Sequence, residues 1–232
     1  MTLLRFDISS SQLEINSVIQ EPITKFLNRC RPPSSRDPKT NPECHITGQC
    51  TKKITHLEII SEKKNDSESK LELTLAQGIA KGEKMDFLIQ KAVELGVTNI
   101  IPMQMERCVV RLKPEKIQKK INHWQKIANQ ACEQSGRSVV VNISLPKTLK
   151  ELLDVPNQNG FVLHHKATSS LTQMKKESKA TILIGPEGGL TDLEITDSTK
   201  AGYKQLLLGK RVLRTETASL VAIANMQLLW GS

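Results

Sequence analysis

From residue 71 onwards, short apolar runs alternate with segments whose apolar residues recur every three or four positions. The runs predict β-strands, and the recurring spacing predicts amphipathic helices. The predicted strands lie in 71–77, 98–105, 138–143, 160–164, 180–185 and 204–209, and the predicted helices in 83–96, 113–136, 147–153, 191–200 and 216–230. This alternation predicts an α/β fold with a parallel sheet that is covered by helices on both faces.

The first seventy residues lack this clear pattern. Between Asn28 and Cys50 the only aliphatic residue is Ile46, and four prolines interrupt the same stretch. A segment with so little apolar surface cannot offset the entropy cost of ordering, so we expect 28–50 to be a long loop or disordered. We interpret 54–60 as a strand and 61–70 as a polar linker. The chain therefore divides into an N-terminal domain, 1–70, and a larger domain, 71–232.

Composition narrows the class of protein. The chain has no apolar run long enough to span a membrane and no apolar stretch typical of a signal peptide near its start, so we expect a cytoplasmic protein that contacts no membrane. Its 33 lysines and arginines against 24 aspartates and glutamates give a net charge of +9, which favours a polyanionic partner such as nucleic acid. Aromatic residues make up only 3%, which argues against a base-stacking platform.

The cysteines and the long helix have simpler interpretations. Five cysteines without a CxxC spacing suit reduced thiols, and we expect Cys108 and Cys132 to be buried packing residues. Cys44, His45 and Cys50 match no usual zinc spacing, so we expect no metal site. One face of the long helix is expected in the core; it carries Trp124, Ile127, Ala128 and Ala131.

The strongest candidate for a binding site is a glycine-rich turn between a strand and a helix. The apolar residues 181–184 run into Gly-Pro-Glu-Gly-Gly at 185–189, and Thr191 with Glu194 forms the pattern of a capping box. Glycines at such a turn let backbone N–H groups approach a ligand, and ligands of open α/β sheets bind beyond the carboxyl ends of the strands. The spacing matches neither a dinucleotide fingerprint nor a P-loop. A plain tight connection is the alternative.

A second candidate is the segment 209–216, which we interpret as an eight-residue loop that leads into the C-terminal helix. Loops in this position usually have two to six residues. This one carries three basic residues and a glutamate, and an arginine beside a glutamate can orient a nucleobase or a phosphate. A solvated basic loop is the alternative.

Five segments in order resemble the ribosomal RNA small subunit methyltransferase E family, which belongs to the SPOUT superfamily of knotted methyltransferases. They are GEKMDFLIQKAVELGV (82–97), ERCVVRL (106–112), WQKIANQACEQSGR (124–137), LIGPEGGLTDLE (183–194) and LLLGKRVLRTETA (206–218). The resemblance implies a trefoil knot in 71–232, a small PUA-like β domain at the N-terminus, and a homodimer. The segment 28–50 departs from the barrel pattern, which predicts an incomplete or rearranged N-terminal domain.

The resemblance also implies an activity and a cofactor. The family uses S-adenosylmethionine to methylate N3 of a uridine in 16S ribosomal RNA within the small ribosomal subunit. Carried over by motif, Arg214 is expected to orient the uridine or stabilise its anion, and Glu216 is a candidate proton acceptor or a partner of Arg214. The expected cofactor-binding residues are Leu163, His164, Gly185, Glu187, Gly188, Gly189, Leu208, Gly209, Leu213 and Thr215.

The excess of positive charge concentrates in the middle of the chain, where RNA contact is expected. Residues 81–140 hold 11 lysines and arginines against 6 acids, a net of +5. The candidate RNA contacts are Arg107, Arg111, Arg137 and Arg211. Two alternatives to a 16S ribosomal RNA methyltransferase stay open. One is a non-catalytic RNA-binding or ribosome-assembly factor on the same fold, and the other is a knotted methyltransferase that acts on another RNA.

Overall fold

The computed structural model describes residues 6–7, 42–50, 55–64, 68–137, 139–155 and 159–232, of which 6–7, 42–50 and 55–64 are described by their backbone only. The chain divides into two compact units. One comprises Met1–Glu68 with Gly136–Val139, and the other comprises Ser69–Ser135 with Val140–Ser232. No helix within the described ranges is long and apolar enough to cross a membrane.

The first unit contains an antiparallel three-stranded sheet of order β1-β2-β3. Its strands are β1 (Phe6–Asp7), β2 (Pro42–Cys50) and β3 (Thr55–Lys64), and the register shifts between His45 and Ile46. A loop was expected across 28–50 and a linker from 61, but 42–50 and 61–64 are strand; residues 28–41 lie outside the described ranges. Ladder hydrogen bonds come from the backbone, so a stretch with few aliphatic side chains can still pair as a strand.

The second unit is an α/β domain around a six-stranded sheet. Its elements are β4 (Glu72–Gly78), α1 (Glu83–Glu94), β5 (Asn99–Met103), α2 (Pro114–Ser135), β6 (Asn142–Ile143), α3 (Leu149–Leu153), β7 (Gly160–Leu163), β8 (Lys179–Ile184), α4 (Asp192–Lys200), β9 (Lys204–Leu206) and α5 (Thr215–Trp230). The strand order is β6-β5-β4-β8-β7-β9, and every neighbouring pair is parallel. The predicted parallel sheet is confirmed.

The helices bury the faces that the sequence spacing predicts. In α2, Trp124, Ala128 and Ala131 are buried and Ile127 is half-buried. In α1 the apolar residues that recur at helical spacing are all buried: Met85, Leu88, Ile89, Ala92 and Val93. Cys108 and Cys132 are both buried, as expected. Helix α5 packs against α1 and against strands β4 and β8. This packing brings the start of α5 to the carboxyl ends of the central strands.

The start of α5 differs from the prediction. Segment 209–216 was expected to be loop, but the helix begins at Thr215, with Arg214 in an extended conformation at the N-cap. The strand predicted over 204–209 also ends earlier, since β9 stops at Leu206 and the connection runs over 207–214. Glu216 consequently lies in the first turn of α5.

Candidate active site

Three connections meet at one edge of the sheet because β8, β7 and β9 are parallel neighbours. They follow β8 at Gly185, β7 at His164 and β9 at Leu207. The backbone N–H of His164 donates to the carbonyl of Leu206 at 3.0 Å, and that of Leu207 donates to the carbonyl of Ser169 at 2.9 Å. The candidate residues after β7 and β9 are therefore held side by side at the ligand-binding edge of the fold.

The glycine-rich turn is packed too tightly for side chains at Gly185 and Gly188. A Cβ on Gly185 would lie 2.9 Å from the backbone of Gly189 and Leu190, and a Cβ on Gly188 would lie 2.9 Å from Cβ of Arg107. Gly189 has a φ of 71°, which L-residues with side chains rarely adopt. The turn therefore presents its backbone rather than side chains to whatever binds at this edge.

The predicted capping box after the turn is confirmed, and it has a third partner. The hydroxyl of Thr191 accepts from the N–H of Glu194 at 3.1 Å, and Oε2 of Glu194 accepts from the N–H of Thr191 at 2.8 Å. The other carboxylate oxygen of Glu194 accepts from the N–H of Glu106 at 2.9 Å. Glu194 thus links the glycine-rich turn to the segment after β5.

Glu187 and Arg107 connect the glycine-rich turn to other segments of the chain by hydrogen bonds. Oε1 of Glu187 accepts from the backbone N–H of Lys81 at 2.8 Å, so its carboxylate is engaged by the protein. Arg107 donates from Nη1 to the carbonyls of Gly188 at 3.2 Å and Leu190 at 3.4 Å. The structure therefore gives Arg107, a candidate RNA contact, a bracing contact with the glycine-rich turn as well.

The other three candidate RNA contacts differ in exposure. Arg111 is exposed, and its Nη2 donates to the carbonyl of Glu106 at 2.9 Å. Arg211 is exposed in the loop before α5. Arg137 has only 6% of its side chain exposed, and its Nη2 lies 2.7 Å from Oε2 of Glu68. A guanidinium buried in an ion pair is a poor phosphate contact, so this geometry disfavours the RNA role expected of Arg137.

Cys108 lies in the segment that braces the turn. Its thiol accepts from the N–H of Met105 at 3.3 Å and reaches the carbonyl of Met103 at 3.5 Å. Burial raises the pKa of the Cys108 thiol above its ordinary value, although the backbone N–H of Met105 acts in the opposite direction. The thiol is therefore a protonated structural group at neutral pH.

Cys108 is expected to resist alkylation in the folded protein. At pH 8, iodoacetamide should modify it at least about tenfold more slowly than in the unfolded chain, because only the thiolate reacts and 7% of the residue is exposed. Peptide mass spectrometry of timed samples, with and without guanidinium chloride, measures both rates. Equal rates in the two samples would contradict the buried thiol.

Arg214 and Glu216 flank the first residue of α5. Arg214 is exposed, and its side chain makes no capping hydrogen bond. Oε2 of Glu216 is buried without a hydrogen-bond partner, and no ion pair within the described residues joins Glu216 to Arg214. A buried oxygen without a partner is rare in folded proteins and marks a place where a ligand can supply the missing donor.

The remaining candidate residues at this edge of the sheet are three leucines, a histidine and a glycine. Leu163, Leu208 and Leu213 pack against the core and remain partly exposed, so they offer apolar surface beside the turns. Nδ1 of His164 faces Oε1 of Gln205 at 3.2 Å. Gly209 has a φ of 141°, which suits glycine at the bend after β9.

Sequence reasoning missed two polar residues beneath these turns. Gln77 and Ser219 are fully buried, and Thr215, which the sequence analysis did single out, lies between them. The hydroxyl of Thr215 donates to the carbonyl of Gly185 at 2.6 Å, and Nε2 of Gln77 donates to the same hydroxyl at 3.0 Å. A glutamine that closes an apolar strand directly before a glycine was the available signal.

Comparison with known proteins supplies independent information. A family model described as an RNA methyltransferase domain matches residues 67–227. Proteins named ribosomal RNA small subunit methyltransferase E are similar to this chain. The protein of that name from Buchnera aphidicola (subspecies Acyrthosiphon pisum) is 36% identical, over 78% of this chain and 73% of its own length. The one from Bacillus subtilis is 33% identical, over 78% of this chain and 75% of its own length. The crystal structure of the Neisseria gonorrhoeae protein of that name, bound to S-adenosyl methionine, has a TM-score of 0.82, 37% identity and 99% coverage of both chains.

Proposed function

The chain belongs to the ribosomal RNA small subunit methyltransferase E family, and from that premise we propose that it methylates N3 of a uridine in 16S ribosomal RNA of the small subunit. It is a methyltransferase that uses S-adenosylmethionine. The observation that carries the proposal is the hydrogen bond from the Thr215 hydroxyl to the Gly185 carbonyl, 2.6 Å long. It joins the helix start that carries Arg214 and Glu216 to the glycine-rich turn.

The residues at this edge fit S-adenosylmethionine. The turn at 185–189 exposes backbone groups that can hydrogen-bond an adenine edge, and the half-buried leucines can cover the adenine faces. Oε2 of Glu216 is a buried acceptor with no donor among the described residues. The residues proposed to hold the cofactor are Leu163, His164, Gly185, Glu187, Gly188, Gly189, Leu208, Gly209, Leu213 and Thr215. Glu187 would act through its backbone, because its carboxylate is bound to Lys81.

When bound, S-adenosylmethionine supplies an electrophilic methyl group, and the chain must prepare the nucleophile. Uracil N3 becomes nucleophilic once it loses its proton, which places negative charge on O2 and O4. Arg214 is exposed and makes no capping bond, so its guanidinium is available to stabilise that charge. Glu216, whose Oε2 has no hydrogen-bond partner in the described part of the chain, takes the N3 proton or hydrogen-bonds the water that takes it.

We place RNA contacts on the exposed arginines near this edge. Arg107, Arg111 and Arg211 are exposed and carry positive charge toward a phosphate backbone. Arg107 would then connect RNA to the glycine-rich turn that it braces. The ribosomal substrate also argues for a cytoplasmic location.

The finer architecture is part of the same proposal. We propose that 71–232 forms a trefoil knot, because the chain belongs to a family of the knotted SPOUT superfamily. We propose that 1–70 forms a PUA-like domain, supported by the antiparallel order β1-β2-β3. A homodimer is supported by apolar side chains on α5 that are exposed in the single chain, Leu228 at 77% and Leu229 at 40%.

The test is methyl transfer from labelled S-adenosylmethionine to small ribosomal subunits that lack the native modification. The expected result is one N3-methyluridine in 16S ribosomal RNA, mapped by mass spectrometry, with no transfer to subunits that already carry it. Cofactor binding without transfer to any RNA would identify a non-catalytic RNA-binding factor. Transfer to transfer RNA instead would identify a different substrate, and either result would overturn the proposal.

A further inference from the structure

A buried polar cluster lies directly beneath the proposed site. It consists of Gln77, Thr215 and Ser219, of which Gln77 and Ser219 are fully buried and Thr215 is 7% exposed. Gln77 is the penultimate residue of β4 and pairs with Ile184 of β8 and Pro102 of β5. Burying an amide among apolar strands is costly unless its hydrogen-bonding groups are satisfied, so the cluster calls for a physical reason.

The amide of Gln77 is satisfied at both ends. Nε2 donates to the carbonyl of Gly78 at 2.9 Å and to the hydroxyl of Thr215 at 3.0 Å, with the carbonyl of Gly185 at 3.4 Å. Oε1 accepts from the hydroxyl of Ser219 at 2.5 Å. One side chain thereby joins the end of β4, the glycine-rich turn and the first two turns of α5.

These contacts join parts of the chain that are far apart in the sequence. Gln77 is 108 residues from Gly185 and 138 residues from Thr215 along the sequence. Thr215 stands between Arg214 and Glu216, and Gly185 opens the turn proposed to hold the cofactor. Gln77 reaches neither Arg214 nor Glu216 directly, so any effect on the reaction acts through the backbone of α5.

We infer that Gln77 is a positioning residue, which holds the start of α5 against the glycine-rich turn so that Arg214 and Glu216 face the cofactor site. The inference rests on the proposed function for its catalytic consequence. It also predicts a property of the protein without cofactor: the amides of 185–190 and 215–219 should lose protection together when the amide of Gln77 is removed.

Gln77→Met tests this, because methionine has a similar length and lacks both hydrogen-bonding groups. Gln125→Met is the matched control. Gln125 also bridges two elements, since its Nε2 donates to the carbonyl of Val141 at 2.8 Å and its Oε1 accepts from the N–H of Ile143 at 3.0 Å. These contacts join α2 to β6, away from the glycine-rich turn.

Hydrogen exchange of the protein without cofactor is the first readout. Gln77→Met is expected to accelerate exchange in 185–190 and 215–219 by about tenfold or more, whereas Gln125→Met should accelerate it only around 125 and 141–143. Titration with S-adenosylhomocysteine is the second readout, and it should show weaker binding for Gln77→Met alone. Unchanged exchange at both segments would overturn the inference.

Kinetics separate positioning from a general loss of stability. Gln77→Met is expected to lower kcat about 10- to 100-fold with little change in the KM for the RNA substrate, because a small displacement of catalytic groups slows the chemical step. An equal loss of kcat in Gln125→Met would overturn the inference. If Gln77→Met does not fold, Ser219→Ala is the second variant; it removes only the hydroxyl that contacts Oε1 of Gln77 and the carbonyl of Thr215. Faster exchange at 185–190 and 215–219 with a lower kcat would support the inference, and no change in either would overturn it.

Failure of the proposed function and failure of the positioning role of Gln77 give different results. If the unaltered protein methylates no RNA, the proposed function fails, while the exchange and titration measurements still decide whether Gln77 holds the turn and the helix together. If the unaltered protein methylates RNA but Gln77→Met behaves like Gln125→Met, only the positioning role fails.

Discussion

Gly78→Ala is expected to abolish most methyl transfer and to destabilise the protein. A Cβ on Gly78 would overlap the backbone nitrogen of Pro186 and would lie 2.6 Å from its Cδ and 2.7 Å from the backbone carbon of Gly185. Such contacts force the glycine-rich turn to move, because it is backbone and not a flexible side chain that stands in the way. We expect a loss of about 1–3 kcal/mol in the free energy of unfolding and of about 100-fold in kcat.

Denaturant unfolding and the methyl-transfer assay measure the two effects of Gly78→Ala. Gly202→Ala is the control: Gly202 has a φ of 92°, but a Cβ there meets no atom within 4 Å, and it lies after α4. It should lose about 1 kcal/mol of stability from backbone strain and keep its kcat. A Gly78→Ala protein with normal kcat would show that the turn does not need its close approach to β4.

Arg214→Ala is expected to lower kcat by about 100- to 1000-fold, which is the usual effect of removing a group that stabilises developing negative charge. Arg214 is exposed and caps no helix through its side chain, so stability should stay unchanged. Affinity for S-adenosylhomocysteine should also stay within about threefold, since the proposed role of Arg214 concerns the uridine. Single-turnover methyl transfer, calorimetric titration and thermal unfolding measure the three quantities.

Arg211→Ala is the matched control, since Arg211 is an exposed arginine of the same connection. Its loss should raise the KM for RNA and reduce the salt dependence of RNA binding, with kcat nearly unchanged, as expected for a phosphate contact. If Arg214→Ala showed this behaviour instead, Arg214 would be an RNA-binding residue, and the stabilisation of the uracil charge would have to come from elsewhere.

Most elements of the α/β domain were predictable from local patterns. The helix at 83–96 was predicted from apolar spacing, and the structure places α1 at Glu83–Glu94 with the apolar residues of that spacing buried. The exceptions have physical reasons. Residues 42–50 pair with β3 through backbone bonds that hydropathy does not reveal, and the beginning of α5 depends on the backbone of Arg214 rather than on a capping side chain.

The candidate site was predictable only in part. The resemblance predicted site residues at the ends of β7, β8 and β9, and the topology brings those three connections to one edge. Motifs did not indicate that Glu187 binds the N–H of Lys81, that Arg107 binds the glycine-rich turn, or that Arg137 is buried beside Glu68. A charged side chain can form its hydrogen bonds or ion pair with a group that is distant along the chain, and the local sequence does not show this.

The sequence by itself determined the order of strands and helices, the glycine-rich turn and the capping box of Thr191 and Glu194, because each depends on residues within a few positions of one another. The tertiary structure decided the strand order that places β8 between β4 and β7, and the contact between Gln77 and the start of α5. Those depend on packing and hydrogen bonds between residues that are far apart along the chain, 138 positions for Gln77 and Thr215, and a local pattern carries no signal for them.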